Sequence, residues 1–174
     1  AVNDQLIGDF EEACQTLHAD GELQVVVLKG EGRAFCAGMD LKAAAQRPAT
    51  NEAIYAAWAP WQRALDMLEQ LNALTIASIH GACLGAGCEL VLACDFRIAA
   101  DEGKYGILQV RRGVMPDAQS HFTLPRIVGM ERAAYLMLTG RKLSGVEAAE
   151  MGLVLRSVPG AKVLETAIEI ARDI

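Results

Sequence analysis

Aromatic residues are scarce in this chain of 174 residues, at 5%, and only three histidines occur. No apolar stretch approaches the ~20 residues that a membrane span needs. There is no Cys-x-x-Cys and no His-x-x-x-His, so a zinc or redox centre has little sequence support, and no metal site is expected. Basic residues are outnumbered, 16 Lys and Arg against 22 Asp and Glu, for a net charge of −6. An acidic chain does not bind nucleic acid through a general basic surface. The start, Ala1-Val2-Asn3-Asp4, has neither a basic nor an apolar leader segment, so no signal peptide is expected. The five cysteines, Cys14, Cys36, Cys83, Cys88 and Cys94, are odd in number and spread out. That pattern argues against a disulfide framework and for a reducing, cytoplasmic location.

The apolar content is 52%, enough for a real core, and the length fits one domain over 1–174. Leu6, Phe10, Ala13 and Leu17 recur at helical spacing and predict an opening helix that stops at Asp20-Gly21. Val25 to Leu28 reads as a buried strand, and Leu74 to Ile79 and Phe96 to Ala100 as two more. Residues 52–72 predict a long helix interrupted near Pro60, with Trp58, Trp61, Leu65 and Leu68 on or near one face. Cys88 to Cys94 predicts a buried helix, and further helices are expected over 131–138, 144–151 and 162–173. Strands alternating with helices make the class α/β.

Two segments carry the chemical signal. The first runs from Val25 through Gly30 to Phe35-Cys36-Ala37-Gly38-Met39-Asp40-Leu41-Lys42. The second is Ile79-His80-Gly81-Ala82-Cys83-Leu84-Gly85-Ala86-Gly87-Cys88-Glu89-Leu90. Each passes from a strand through small residues into a helix. Small residues let backbone approach a ligand, and free N–H groups at a helix start can hold a negative oxygen. Taken alone, such loops also serve plain packing. Glu89 sharpens the signal, because it sits in the first turn of an otherwise apolar helix. Burial raises a carboxyl pKa and a helix start lowers it, and a group pulled both ways suits proton transfer. Gly81-Ala82-Cys83-Leu84-Gly85 also has the outline of a nucleophile elbow with cysteine as nucleophile.

With these two loops, and with Leu124-Pro125-Arg126-Ile127-Val128-Gly129 and Ala148 to Val154 downstream, the chain resembles the enoyl-CoA hydratase/isomerase (crotonase) superfamily. The resemblance implies a spiral of ββα units, assembled as a homotrimer or homohexamer, and a chain lacking the usual first strands and C-terminal helices. It implies an acyl-CoA thioester as partner; from the acidic charge and the short apolar runs, no nucleic acid or membrane partner is expected. Coenzyme A would enter as part of the substrate, and no resident cofactor is implied. By motif position, the thioester oxygen would sit between the amides of Met39 and Ala86. Ala37, Asp40, Leu41, Ala82, Gly85, Leu108 and Gln109 would line the substrate.

Family hydratases use two glutamates. The first matches Glu89, but the second position holds Gln109, which cannot exchange a proton at neutral pH. Eight residues later stands Asp117, where dienoyl-CoA isomerases, naphthoate synthases and 4-chlorobenzoyl-CoA dehalogenases place a working aspartate. The plain reading of Asp117 is the N-cap of a following helix. Three functions stay open: an enoyl-CoA hydratase, a dienoyl- or enoyl-CoA isomerase using Glu89 and Asp117, and a non-catalytic CoA-binding or oligomeric scaffold.

Overall fold

The computed structural model describes residues 1–46, 50–118 and 120–174, without the side chains of residues 44, 51 and 54. Helix α1 (Asp4–Ala19) opens the chain, with Asn3 capping it by accepting from the Leu6 N–H. Strand β1 (Val25–Lys29), the short α2 (Leu41–Ala45) and α3 (Asn51–Glu69) follow. Two ββα units come next: β2 (Leu74–Ile79), β3 (Ala82–Leu84) and α4 (Ala86–Leu92), then β4 (Phe96–Ala100), β5 (Lys104–Gly106) and α5 (Ser120–Val128). A 3-10 turn, Gln109–Arg112, stands before α5. The remainder is α6 (Met130–Thr139), α7 (Gly145–Glu150), β6 (Arg156–Val158) and α8 (Val163–Asp173).

Each ββα unit gives one strand to each of two parallel sheets. The larger has the order β1-β2-β4-β6 and the smaller pairs β3 with β5. Single bridges extend the smaller ladder, Cys36 to Cys83 on one side and Tyr105 to Leu143 on the other. The chain therefore advances one step along both sheets with each unit, which is the expected spiral. The main core lies around α3, α4 and the inner faces of the sheets. A second apolar cluster, with Ile76, Ile98, Val163 and Ala167, packs α8 against the larger sheet. Among the described residues, no helix is long and apolar enough to cross a membrane.

Three sequence expectations need correction. Helix α3 is not interrupted at Pro60 but runs through it. A proline removes one backbone bond and strains the preceding turn. Burial of Trp61, Ala64, Leu65 and Leu68 along one side of the helix offsets that loss. Strand β1 is not fully buried: Val25 to Leu28 are partly exposed, because β1 is the edge of its sheet. Helix α4 begins two residues earlier than Cys88, since Gly85 turns the chain at φ 54° into the helix. Strands β3, β5 and β6, each three residues long, gave no periodic signal in the sequence.

Candidate active site

The two small-residue loops lie side by side. The N–H groups of Phe35 and Cys36 donate to the carbonyls of His80 and Ala82, and the Leu84 N–H donates to Cys36. Gly38 (φ 102°) seats the first loop against the second: a Cβ there would stand 2.9 Å from the Leu84 carbonyl oxygen and 3.8 Å from the Ala86 nitrogen. Gly87 is equally tight, with Cys36 directly against it. Val2 pairs with the strand-like stretch around Met39, donating to Gly38 and accepting from Asp40. Among the described residues, none of the backbone hydrogen bonds joining these loops uses the N–H of Met39 or of Ala86.

Behind this junction α4 is buried along its whole length. Glu89, one turn into it, is 2% exposed. Its Oε2 accepts from the indole Nε1 of Trp61 at 3.1 Å, and its Oε1 is in close hydrogen-bond contact with the Gln109 amide. Burial pushes the Glu89 carboxyl up to about 9, reinforced by the charge and hydrogen bonding of Asp117 and opposed by the donors Trp61 and Gln109. Glu89 is thus a neutral acid at pH 7, and it shares its pocket with a second carboxyl.

Ahead of α5 the Asp117 carbonyl accepts from the Ser120 N–H at 2.8 Å and from the Ser120 hydroxyl at 2.7 Å. The carboxyl oxygen Oδ1 is buried without a hydrogen-bond partner, as is Oε1 of Gln109. The next residue, Ala118, is held at φ 43°, a conformation costly for a residue with a Cβ. A cleft of about 460 Å³ opens from Asp117 to the surface, lined also by Tyr55, Trp58, Gln62, Val114 and Met115.

The other expected binding positions spread around the loops. Ala37 and Leu41 are exposed, Ala82 and Leu108 partly so, and Gly85 donates its N–H to the Gly106 carbonyl. The Asp40 carboxyl caps α2, accepting from the N–H groups of Lys42 at 2.9 Å and Ala43 at 3.2 Å. The nucleophile-elbow reading fails: Cys83 is completely buried and its thiol is held well above the ordinary value, mainly by burial. Sequence reasoning missed the bond from Trp61 to Glu89. The helical spacing of Trp58 and Trp61 pointed only to a buried face.

Fold and site together define an α/β protein of the crotonase type, with a buried carboxyl, Glu89, beneath two abutting small-residue loops and a half-buried one, Asp117, acting on it. The chain belongs to the enoyl-CoA hydratase/isomerase family, whose model matches residues 1–174. It is similar to an enoyl-CoA isomerase/hydratase of Mycosarcoma maydis, 38% identical over 151 residues, covering 86% of this chain and 54% of the relative. It is also similar to a probable enoyl-CoA hydratase of Mycobacterium tuberculosis, 34% identical over 174 residues, covering 100% of this chain and 66% of the relative. Among solved structures, an enoyl-CoA hydratase from Bacillus anthracis superposes with a TM-score of 0.93 at 38% identity, over 99% of this chain and 66% of that one. The chain thus spans between half and two thirds of the length of these relatives.

Proposed function

We propose that this protein is an acyl-CoA-processing enzyme of the enoyl-CoA hydratase/isomerase type, and that it moves a proton along the acyl chain of an enoyl thioester. The observation that carries this reading is the buried Glu89, protonated at neutral pH, with the half-buried Asp117 acting on it. The thioester carbonyl oxygen sits between the amides of Met39 and Ala86. Asp117, as base, removes a proton from the chain, and the electron pair moves to the carbonyl oxygen as an enolate. The two N–H groups stabilise that charge; one such donor is typically worth ~3–4 kcal/mol of barrier. The enolate then collapses and takes a proton from Glu89 at a different carbon, which shifts the double bond. The proton left on Asp117 returns to Glu89 within the pair.

Coenzyme A arrives as part of the substrate, and the steps use only groups of the chain. The acyl tail occupies the cleft between Trp58 and Met115, with Ala37, Asp40, Leu41, Ala82, Gly85 and Leu108 around the thioester end. A second reading, hydration of a 2-enoyl thioester, is favoured by Gln109: its amide lies against Glu89 and can hold a water there. Exposed apolar side chains at Phe122, Met130 and Leu138 support assembly as a homotrimer or homohexamer, and the five free thiols support a reducing, cytoplasmic compartment.

Incubation with crotonyl-CoA, and separately with 3-enoyl- and dienoyl-CoA esters, tests this by following thioester absorbance. A change confined to the 3-enoyl or dienoyl ester is expected. Loss of the crotonyl signal would establish hydration instead, and silence on all three would point to a non-catalytic scaffold.

A further inference from the structure

We infer that Trp61 is a positioning residue that decides which oxygen of Glu89 carries its proton. An indole N–H can only donate. Held 3.1 Å from Oε2, it favours Oε2 as the unprotonated, more strongly accepting oxygen and so favours the proton on Oε1. Oε1 is the oxygen that Gln109 touches. The Gln109 amide offers an N–H to the ionised carboxylate. A half-turn of the amide instead brings its carbonyl, now buried and without a partner, to accept from the neutral acid. Gln109 therefore serves both states of Glu89, while Trp61 favours the charged one.

The device answers a problem set by burial. Glu89 is 2% exposed, and a carboxyl free to carry its proton on either oxygen would deliver it in two directions. Trp61 is itself 1% exposed and packed in the core of α3 against Phe10 (ring centroids 6.5 Å apart), so its donor is fixed in place. Asp117, from the loop before α5, also acts on Glu89, and Glu89 in turn raises the Cys36 thiol of the first loop, which burial already pushes up. Helix α3 meets Glu89 through Trp61 and the 3-10 turn through Gln109, neither of which titrates.

The inference rests on Glu89 as the transferring acid, yet it can be tested without substrate. Trp61→Phe is the obvious variant but would leave a void in the core. Replacing Trp61 by β-(3-benzothienyl)alanine keeps the ring shape and removes the N–H. The carboxylic-acid infrared band of Glu89, assigned by its loss in Glu89→Gln, is then followed against pH. The midpoint, about 9 in the unaltered chain, is expected to rise by about one unit when the charge-assisted donor is lost. Gln109→Met should move it less, because both protonation states lose a partner. An unmoved midpoint in the Trp61 variant, or a larger movement in Gln109→Met than in it, would overturn the inference. A shifted midpoint in a protein that turns over no acyl thioester would sink the proposed function and leave the role of Trp61 standing.

Discussion

Asp40 and Glu89 occupy equivalent places in two similar segments. Each follows a loop of small residues, and each lies at or near the start of a helix. Asp40 is partly exposed and spends its carboxyl on the Lys42 and Ala43 N–H groups as an ordinary cap. Glu89 receives no backbone donor; it is buried against Trp61, Gln109 and Asp117, and its proton stays on to about 9. The same local pattern thus yields a structural acid in one loop and a proton carrier in the other. The difference is burial, together with the second carboxyl that burial brings close.

The largest expected break in that comparison comes at Glu89. Glu89→Gln keeps size and hydrogen bonding but removes proton exchange, so turnover should fall by about 10²–10⁴-fold, the range general acid–base groups supply. Calorimetric binding of a CoA ester should survive; normal turnover would refute the mechanism. Stability moves the other way. The Glu89 pKa is raised by folding, so the folded state holds a proton that the unfolded chain releases above about 4.5. Its contribution is therefore full below pH 4.5 and is lost as pH rises towards about 9. Glu89→Gln should accordingly be the more stable protein at neutral and alkaline pH, by roughly 1–3 kcal/mol at pH 7, with no gain below pH 4. Denaturant titration at several pH values checks both the sign and the window.

The seam between the loops is next in size. Gly38→Ala forces a Cβ against the Leu84 carbonyl in a left-handed conformation, and it should cost about 2–3 kcal/mol in denaturant unfolding. It should also lower turnover, because Met39 and Ala86 flank that contact. Asp40→Ala should cost only about 1 kcal/mol, the usual worth of a helix cap, with no alkaline pH dependence like that of Glu89. If Asp40→Ala reproduced the pH dependence of Glu89→Gln, the contrast between the two acids would be lost. The smallest change is Ala118→Gly, which relieves the positive φ beside Asp117 and should raise the melting midpoint by an amount worth about 1 kcal/mol.

Much of this molecule is local and was legible as such. The helical repeats, the long apolar strands, the two small-residue loops and the odd carboxylate in an apolar helix are patterns of neighbours, and the sequence alone determined them. Asp117 and Gln109 were legible as positions, but their effect was not. Trp61 lies 28 residues before Glu89 and Gln109 lies 20 after it. Nothing in local spacing says that they meet. The three-residue strands β3, β5 and β6 are equally silent, because so short a strand is defined by its partner and not by its own periodicity. Tertiary structure alone decided that Glu89 would be neutral. A carboxyl pKa follows the water it has lost and the charges it faces, and both were set when α3, α4 and the Asp117 loop closed on one another.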